Sequence, residues 1–242
     1  MIFNLFKSKP TLKEIIPNGF VDIHSHILPG IDDGPKDLAE SLELISKIKK
    51  MGFSKIIGTP HTYSGLYNNT NRSIANSFNE IKANLKTEIE ITYASEYMLD
   101  EIIFQKAKEK KLLCLKDKYV LVEMSYISPP YNLYEILYEI KINGYKPILA
   151  HPERYLFYRN NFKNFFKLKK IGCYFQSNLL SATNYYGREV SSILDRLLME
   201  KLIDFAGSDI HNIKHIESFD KKLVIKNVKL MKGVMEKNNL FN

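Results

Sequence analysis

The stretch FVDIHSH at residues 20–26 shows the pattern on which the fold prediction depends. Its first five residues form a short β-rich run typical of a strand, and His24 and His26 stand at its end. Six further β-rich runs follow along the chain: KIIGTPH (55–61), EIEITYASEY (88–97), YVLVEMSY (119–126), KPILAHPER (146–154), GCYFQSN (172–178) and DFAGSDIH (204–211). The sequence therefore predicts seven strands.

Segments with helical periodicity separate these strands. Apolar residues recur at spacings of three and four within 36–51, 133–140 and 190–198. Gly52 and Gly144 follow two of these segments, where glycine caps a helix at little conformational cost. Seven alternations of strand and helix predict an α/β fold, most simply a closed or nearly closed barrel with helices outside, although the pattern alone also permits an open doubly wound sheet.

Length and composition fit one large domain. The chain has 242 residues, of which 45% are hydrophobic and 26% charged, which is enough apolar material for a core. We expect residues 1–242 to form one domain, with residues 1–17 as an amino-terminal extension. Because no long apolar run or secretory signal is present, we expect a cytoplasmic protein without a transmembrane segment. The first ten residues, MIFNLFKSKP, could touch a membrane surface, but a mobile or docked tail is the favoured interpretation.

The net charge of +8 favours acidic partners, including phosphorylated ones, although a solvated lysine-rich surface is the preferred explanation. The lysines lie in helix-like stretches rather than in one basic patch with interleaved aromatic residues, so we expect no nucleic-acid partner. The sequence contains no cysteine-nucleophile phosphatase loop, because neither Cys114 nor Cys173 is followed six positions later by arginine. It also lacks the glycine-rich loop of NTPases.

Histidines and carboxylates stand at or near the ends of most predicted strands. Barrel enzymes build their active sites from the carboxyl ends of different strands, so these side chains can converge although they are scattered in sequence. The set contains nitrogen and oxygen donors and no thiolate, which suits manganese, iron or zinc, and it is large enough for two or three metals. The nine candidate ligands are His24, His26, Asp33, His61, Glu96, Glu123, His151, Asp209 and His211.

Clustered metals of this kind indicate hydrolysis by a metal-activated water, with the metals also holding a phosphoryl or carbonyl oxygen. His-x-His and Asp-x-His each place two side chains on one side of an extended backbone, so both can reach one metal. Arg154 follows His151 by three residues, and its guanidinium could hold phosphate oxygens in a bidentate contact. The site therefore predicts a metal-dependent phosphoesterase.

The motifs resemble those of the polymerase-and-histidinol-phosphatase (PHP) superfamily, and most closely its bacterial manganese-dependent tyrosine phosphatases linked to capsule and exopolysaccharide synthesis. The resemblance covers residues 20–211 and rests on seven motifs in order: DIHSHILPGIDDGP, TPH, ASEYML, VLVEMSY, AHPERY, QSNLLS with the following YYG, and GSDIH. It implies a distorted seven-stranded (β/α)7 barrel and a trinuclear centre, with manganese as the expected metal. It also implies a phosphotyrosine substrate in the tail of a membrane-associated tyrosine kinase.

The resemblance also implies a role for each donor. One metal would be held by His24, His26, Glu96 and Asp209, a second by Glu96, Glu123 and His151, and a third by Asp33, His61 and His211. Arg154, Glu96 and Asp209 would be the catalytic residues, with Arg154 holding the phosphate. Many relatives carry an arginine shortly after the last histidine, whereas this chain reads HNIKH at residues 211–215, so Lys214 or His215 would have to replace that charge.

Three other functions are compatible with parts of the pattern. A small-molecule phosphatase of the same superfamily, such as a histidinol-phosphate phosphatase, would share the metal core and differ at the rim. A non-catalytic, metal-stabilised module would not need the complete donor set. An amidohydrolase also begins with His-x-His, but would ordinarily carry a metal-bridging lysine on a middle strand, where this chain has Glu96 and Glu123.

Overall fold

The computed structural model describes residues 8–242, so residues 1–7 of the predicted extension lie outside the described part of the chain. Residues 9–12 dock on residues 221–225: the Lys9 ammonium donates to the carbonyl oxygen of Ile225 at 2.9 Å, and the backbone N–H of Leu12 donates to that of Lys221 at 3.0 Å. Nine strands follow: β1 Phe20–Ser25, β2 Phe53–Gly58, β3 His61–Thr62, β4 Glu90–Tyr93, β5 Glu96–Met98, β6 Tyr119–Glu123, β7 Lys146–Ala150, β8 Tyr174–Asn178 and β9 Phe205–Gly207.

Helices lie between the strands, as the periodicity predicts. Gly52 and Gly144 follow two of them with φ of 95° and 86°, which confirms their predicted left-handed conformation. Within residues 8–242, no helix combines the length and the apolar character that crossing a bilayer requires. The α-helices are α1 Leu12–Ile15, α2 Leu38–Lys50, α3 Asn71–Asn84, α4 Glu101–Lys108, α5 Leu133–Ile142, α6 Lys163–Lys170, α7 Arg188–Met199, α8 Ile213–Glu217 and α9 Val228–Glu236.

All strand pairs are parallel, which confirms the α/β class, but the strands form two sheets rather than one. One sheet has the order β1-β2-β4 and the other the order β3-β5-β6-β7-β8-β9. Two predicted runs are each divided into two strands, at residues 59–60 and 94–95. Pro60 has no N–H to donate, which explains the first break in the ladder. A single isolated bridge, Ser25 to Ile210, joins β1 to the segment after β9, so the predicted closed seven-stranded barrel is not confirmed.

The strands place apolar side chains on two faces. Neighbouring strand residues alternate between two buried clusters: Ile56 and Val120 belong to the larger one, and Ile57 and Leu121 to the smaller. Because successive side chains on a strand point to opposite faces, the larger cluster lies between strands and helices and the smaller one on the other face. The smaller cluster draws on β1, β2, β6, β7 and β9 together with Phe241, so these strands surround a shared interior.

Asn238 links the edge strands β1 and β9 beneath this interior. Its side-chain amide nitrogen donates to the carbonyl oxygens of Val21 at 2.8 Å and Ala206 at 2.6 Å, and its amide oxygen accepts the N–H of Ala206 at 3.2 Å. The residue is fully buried. One side chain thus satisfies backbone groups of two strands that share no ladder at this point.

Replacing Asn238 with alanine should lower the free energy of unfolding by about 3 kcal/mol, because buried backbone groups on both strands lose their partners. Urea-induced unfolding followed by circular dichroism provides the measurement. The neighbouring exposed residue serves as the control, and Asn239→Ala should change the stability by less than about 0.5 kcal/mol. Equal stability of the two variants would contradict a linking role for Asn238.

Candidate metal centre

The nine predicted ligand side chains come together at the carboxyl ends of the strands. Their nitrogen and oxygen atoms form four overlapping groups, and within each group the atoms lie within 4.8 Å of one another. The groups are His26–Asp33–His61–His211, His24–His151–Asp209, His24–His26–Glu96 and His61–Glu96–Glu123. Every residue of the predicted set belongs to at least one group.

The deepest donors lie at separations that suit a metal ion. The Nε2 atoms of His24 and His26 are 3.3 Å apart. Each lies 3.4 Å from Oε2 of Glu96 and 3.3 or 3.4 Å from Oδ1 of Asp209. Two donors that bind one ion at about 2 Å each, the usual length of metal–nitrogen and metal–oxygen bonds, lie roughly 3.3 Å apart at a tetrahedral angle. The separations between these donors therefore suit binding to one metal ion.

A second group lies nearer to solvent. Oδ1 of Asp33 is 3.5 Å from Nε2 of His61 and 3.3 Å from Nε2 of His211. The side chain of Asp33 is 51% exposed, whereas those of His61 and His211 are 15% and 13% exposed. This group contains all three donors of the predicted third metal, and it forms the mouth of the site.

The remaining donors are grouped differently from the predicted set of Glu96, Glu123 and His151. Oε1 of Glu123 lies 2.8 Å from Nδ1 of His61, and Oε2 of Glu96 lies 3.0 Å from the same atom. Nε2 of His151 instead faces Oε1 of Glu96 at 3.2 Å. Glu96 thus lies beside His61 through Oε2 and beside His151 through Oε1. Glu123 is grouped with His61 rather than with His151.

Two further polar residues orient the histidines of the deepest group. Nδ1 of His26 lies 2.7 Å from Oδ2 of Asp32, and Nδ1 of His24 lies 2.8 Å from the amide oxygen of Gln176. A proton on each Nδ1 would be donated to these oxygens, which leaves the Nε2 lone pair free for a metal. The sequence prediction missed both residues. The polar run QSN at the end of β8 was the only signal for Gln176, and Asp32 stands beside the predicted ligand Asp33.

The backbone brings the His-x-His and Asp-x-His motifs into direct contact. The N–H of Asp209 donates to the carbonyl oxygen of His24 at 2.8 Å, and the N–H of His26 donates to that of Ile210 at 2.9 Å. Two ligand positions also adopt left-handed backbone conformations, with φ of 36° at His151 and 53° at Asp209. Such conformations cost free energy for residues with a Cβ and occur frequently at functional sites.

The charges of the cluster compensate one another strongly. Burial opposes ionisation of Glu96, but the neighbouring rings of His24 and His61 outweigh it and hold the pKa of Glu96 well below its ordinary value. Burial and the nearby His26 oppose protonation of His61, yet Glu96 and Glu123 raise its pKa to about 10. Without a cation, protons on the rings therefore balance the buried carboxylates. A bound cation would take over that role and release protons.

In two members of the cluster, the pKa shifts in the opposite direction from that of Glu96 or His61. Burial and the negative charge of Glu96 raise the pKa of Glu123. Burial lowers the pKa of His151 to about 4, even though Glu96 favours its protonation. His151 thus carries a neutral ring at physiological pH, which is the protonation state that a metal ligand requires.

Several buried donors lie close together without hydrogen-bond geometry. Within the described residues, Oε2 of Glu96 and Nδ1 of His61 have no hydrogen-bond partner, although they are only 3.0 Å apart. Buried polar atoms are nearly always satisfied, so the arrangement indicates that these atoms aim at a shared point rather than at each other. The donor chemistry and spacing both fit metal ions.

Arg154 lies beside the cluster and contacts one of its donors directly. Its Nη1 atom donates to Oδ2 of Asp209 at 2.9 Å, while Oδ1 of Asp209 faces His24 and His26. Only 20% of the Arg154 side chain is exposed. Arg154 is therefore close enough to act on a phosphate at the cluster, and it also orients a predicted ligand.

The two residues considered as a replacement for a second arginine take different positions. Lys214 is exposed on α8. His215 is partly buried, and its Nδ1 lies 3.1 Å from the carbonyl oxygen of Asp209 and 3.2 Å from the backbone nitrogen of His211. His215 thus supports the Asp-x-His segment, and its role as a replacement charge stays untested.

The chain is similar to known proteins of one family. The family model described as "Capsular polysaccharide synthesis, CpsB/CapC" matches residues 20–225. The tyrosine-protein phosphatase YwqE of Bacillus subtilis is 31% identical over 198 residues, covering 80% of this chain and 78% of the relative. The tyrosine-protein phosphatase CpsB of Streptococcus pneumoniae is 32% identical over 204 residues, covering 80% and 83%.

Solved structures give the same result. One described as YwqE from Bacillus subtilis and CpsB from Streptococcus pneumoniae, "unique metal-dependent tyrosine phosphatases", superimposes with a TM-score of 0.79 at 28% identity, covering 91% of this chain and 93% of the other. A phosphotriesterase homology protein from Escherichia coli superimposes with a TM-score of 0.52 at 14% identity and shows the fold alone. The predicted family is confirmed: the chain belongs to the CpsB/CapC family of capsular polysaccharide synthesis proteins.

Proposed function

We propose that this chain is a metal-dependent protein-tyrosine phosphatase. The observation that carries the proposal is the convergence of nine nitrogen and oxygen donors at one end of the strands, with the guanidinium of Arg154 beside them. Membership of a family whose curated relatives are named tyrosine-protein phosphatases supports the same activity. We further propose that the two sheets together form one seven-stranded barrel around this site, in which each of the two divided runs counts as one strand.

We propose that the metals are manganese, two or three per chain, with iron or zinc as chemically suitable alternatives. The deepest metal would be held by His24, His26, Glu96 and Asp209. The metal at the mouth would be held by Asp33, His61 and His211. Glu96 would be shared between the deepest metal and a further one that also takes Glu123 and His151. When bound, the metals would lower the pKa of a water molecule and polarise a phosphoryl oxygen.

The chain's own residues account for substrate orientation. Arg154 uses Nη1 for Asp209, and its other N–H groups remain available to phosphoryl oxygens. A charge-assisted contact of this kind strengthens as negative charge shifts among those oxygens during in-line attack. Because Arg154 and Asp209 are mostly buried, little water screens this contact.

The exposure of the site favours a protein substrate. Asp33 and Tyr126 at the mouth are 51% and 46% exposed, so a phosphate attached to a protein tail can reach the outer donors. We propose that the partner is a phosphotyrosine-bearing protein in the cytoplasm, specifically the tail of a membrane-associated bacterial tyrosine kinase. The net charge of +8 suits such an anionic tail.

Chelation should abolish hydrolysis of a phosphotyrosine peptide, and manganese should restore it, because the proposed chemistry needs a bound cation. Steady-state assays before and after treatment with EDTA provide the measurement, with histidinol phosphate as the competing substrate. Faster turnover of histidinol phosphate would favour a small-molecule phosphatase instead. Activity that is indifferent to chelation would exclude the metal mechanism.

The two glutamates should differ in their effect on metal content. Glu96 contacts donors on both sides through its two oxygens, so Glu96→Ala should remove at least one metal per chain and abolish activity. Glu123→Ala should lose a single metal, and excess manganese should partly restore its activity. Elemental analysis of purified variants measures the metals, and exposed Glu101→Ala on α4 is the control. Equal, fully restorable losses in both variants would refute the shared role of Glu96.

Arg154→Ala should reduce kcat/KM by roughly 10²- to 10³-fold, the scale observed when one preorganised donor is removed. Lysine should restore only part of the loss, since an ammonium cannot reproduce the planar guanidinium. Because Arg154 also holds Asp209, we expect some metal loss that excess manganese reverses. Kinetics at saturating manganese isolate the effect on the phosphoryl group. Exposed Arg159→Ala is the matched control, and a similar loss in that variant would contradict the assignment.

A further inference from the structure

The guanidinium of Arg154 is flanked by two tyrosines that the metal chemistry does not use. Its central carbon lies over the ring of Tyr126 at 4.6 Å from the centroid and over the ring of Tyr186 at 4.2 Å. Tyr126 belongs to the segment after β6, and Tyr186 follows the short helical segment Leu179–Thr183. Residues distant in sequence thus contribute aromatic faces to one cation, and we call Tyr126 and Tyr186 the tyrosine pair.

Tyr186 is connected to the same carboxylate as Arg154. The side-chain amide nitrogen of Asn178 donates to Oδ2 of Asp209 at 2.8 Å and to the hydroxyl oxygen of Tyr186 at 3.1 Å. Oδ2 of Asp209 therefore receives both Arg154 and Asn178. The position of the Tyr186 ring is coupled through Asn178 to the carboxylate that faces the deepest donors.

Tyr126 is held from the other side. Its ring centroid lies 5.7 Å from that of His151 and 6.0 Å from that of Tyr155. The hydroxyl of Tyr155 accepts the backbone N–H of Met124 at 2.9 Å, which fixes the start of the segment that carries Tyr126. Both rings of the tyrosine pair thus contact residues that lie beside the metal donors.

We propose that the tyrosine pair consists of positioning residues that fix the plane of the Arg154 guanidinium. Arginine has a long flexible side chain, and aromatic faces attract and orient its flat cation. With Nη1 held by Asp209 and the two rings beside the cation, the remaining N–H groups would be the ones that contact a phosphoryl group. The inference rests on the proposed function, because it assigns the pair an effect on phosphate binding.

The test compares removal of the ring with removal of the hydroxyl. In manganese-loaded protein, Tyr126→Leu and Tyr186→Leu should each reduce kcat/KM for a phosphotyrosine peptide by about 10-fold, which lies between the sizes of an exposed and a desolvated cation–π contact. Phenylalanine at either position should restore activity to within about threefold of the wild type, because the aromatic face remains. Fully exposed Tyr131 lies in the same segment as Tyr126, so Tyr131→Leu is the control.

A double-mutant cycle separates positioning from a purely structural role. In the Arg154→Ala background, Tyr186→Leu should cause less than about a twofold further loss, because its effect acts through the arginine. A further 10-fold loss in that background would overturn the proposal. The proposal would also be overturned if kcat/KM fell as far in the phenylalanine variants as in the leucine variants.

A binding measurement keeps this inference distinguishable from the proposed activity. Calorimetric titration of manganese-loaded protein with inorganic phosphate should show a Kd about 10-fold weaker in Tyr186→Leu than in the wild type, at unchanged metal content. If the wild type binds phosphate but cleaves no phosphotyrosine peptide, the proposed function fails and the difference in Kd still decides the role of the pair. An unchanged Kd, or no phosphate binding by the wild type, would overturn the inference.

Discussion

The site depends on the contact between the carboxyl end of β1 and the segment after β9. The backbone of Asp209 donates to His24, and that of His26 donates to Ile210. These hydrogen bonds join the outer edges of two sheets that share no regular ladder there. They also bring three of the four deepest donors within 3.4 Å of one another. Backbone pairing between the two segments therefore brings these three donors together.

The contact is supported at the opposite end of the same two strands by Asn238, whose amide satisfies backbone groups of both. Between these ends lies the smaller apolar cluster, which fills the interior that the strands share. Along the two strands, the buried polar side chain of Asn238 is thus followed by the smaller apolar cluster. The carboxyl ends are left for charged donors, which is the usual arrangement in α/β barrels and related folds.

The sequence predicted the positions of the donors better than their partners. Strand alternation and the placement of histidines at strand ends were sufficient to identify the nine side chains that the structure brings together. Periodicity cannot show which side chains face one another across a sheet, so the grouping of Glu123 with His61 was not foreseen. The sequence prediction missed Asp32 and Gln176 for the same reason. The break at Pro60 likewise shows that a continuous apolar run need not give a continuous ladder.

The left-handed conformations of His151 and Asp209 have a consequence for how this protein can be stabilised. At each position a residue with a Cβ costs roughly 1 kcal/mol relative to glycine. Glycine would therefore relieve backbone strain where the proposed chemistry most needs a side chain. At Asp209 the lost carboxylate would outweigh this gain in stability, because the mostly buried guanidinium of Arg154 would lose its ion-pair partner. Engineering for robustness should hold both positions fixed and seek its gains in the helices and surface loops instead.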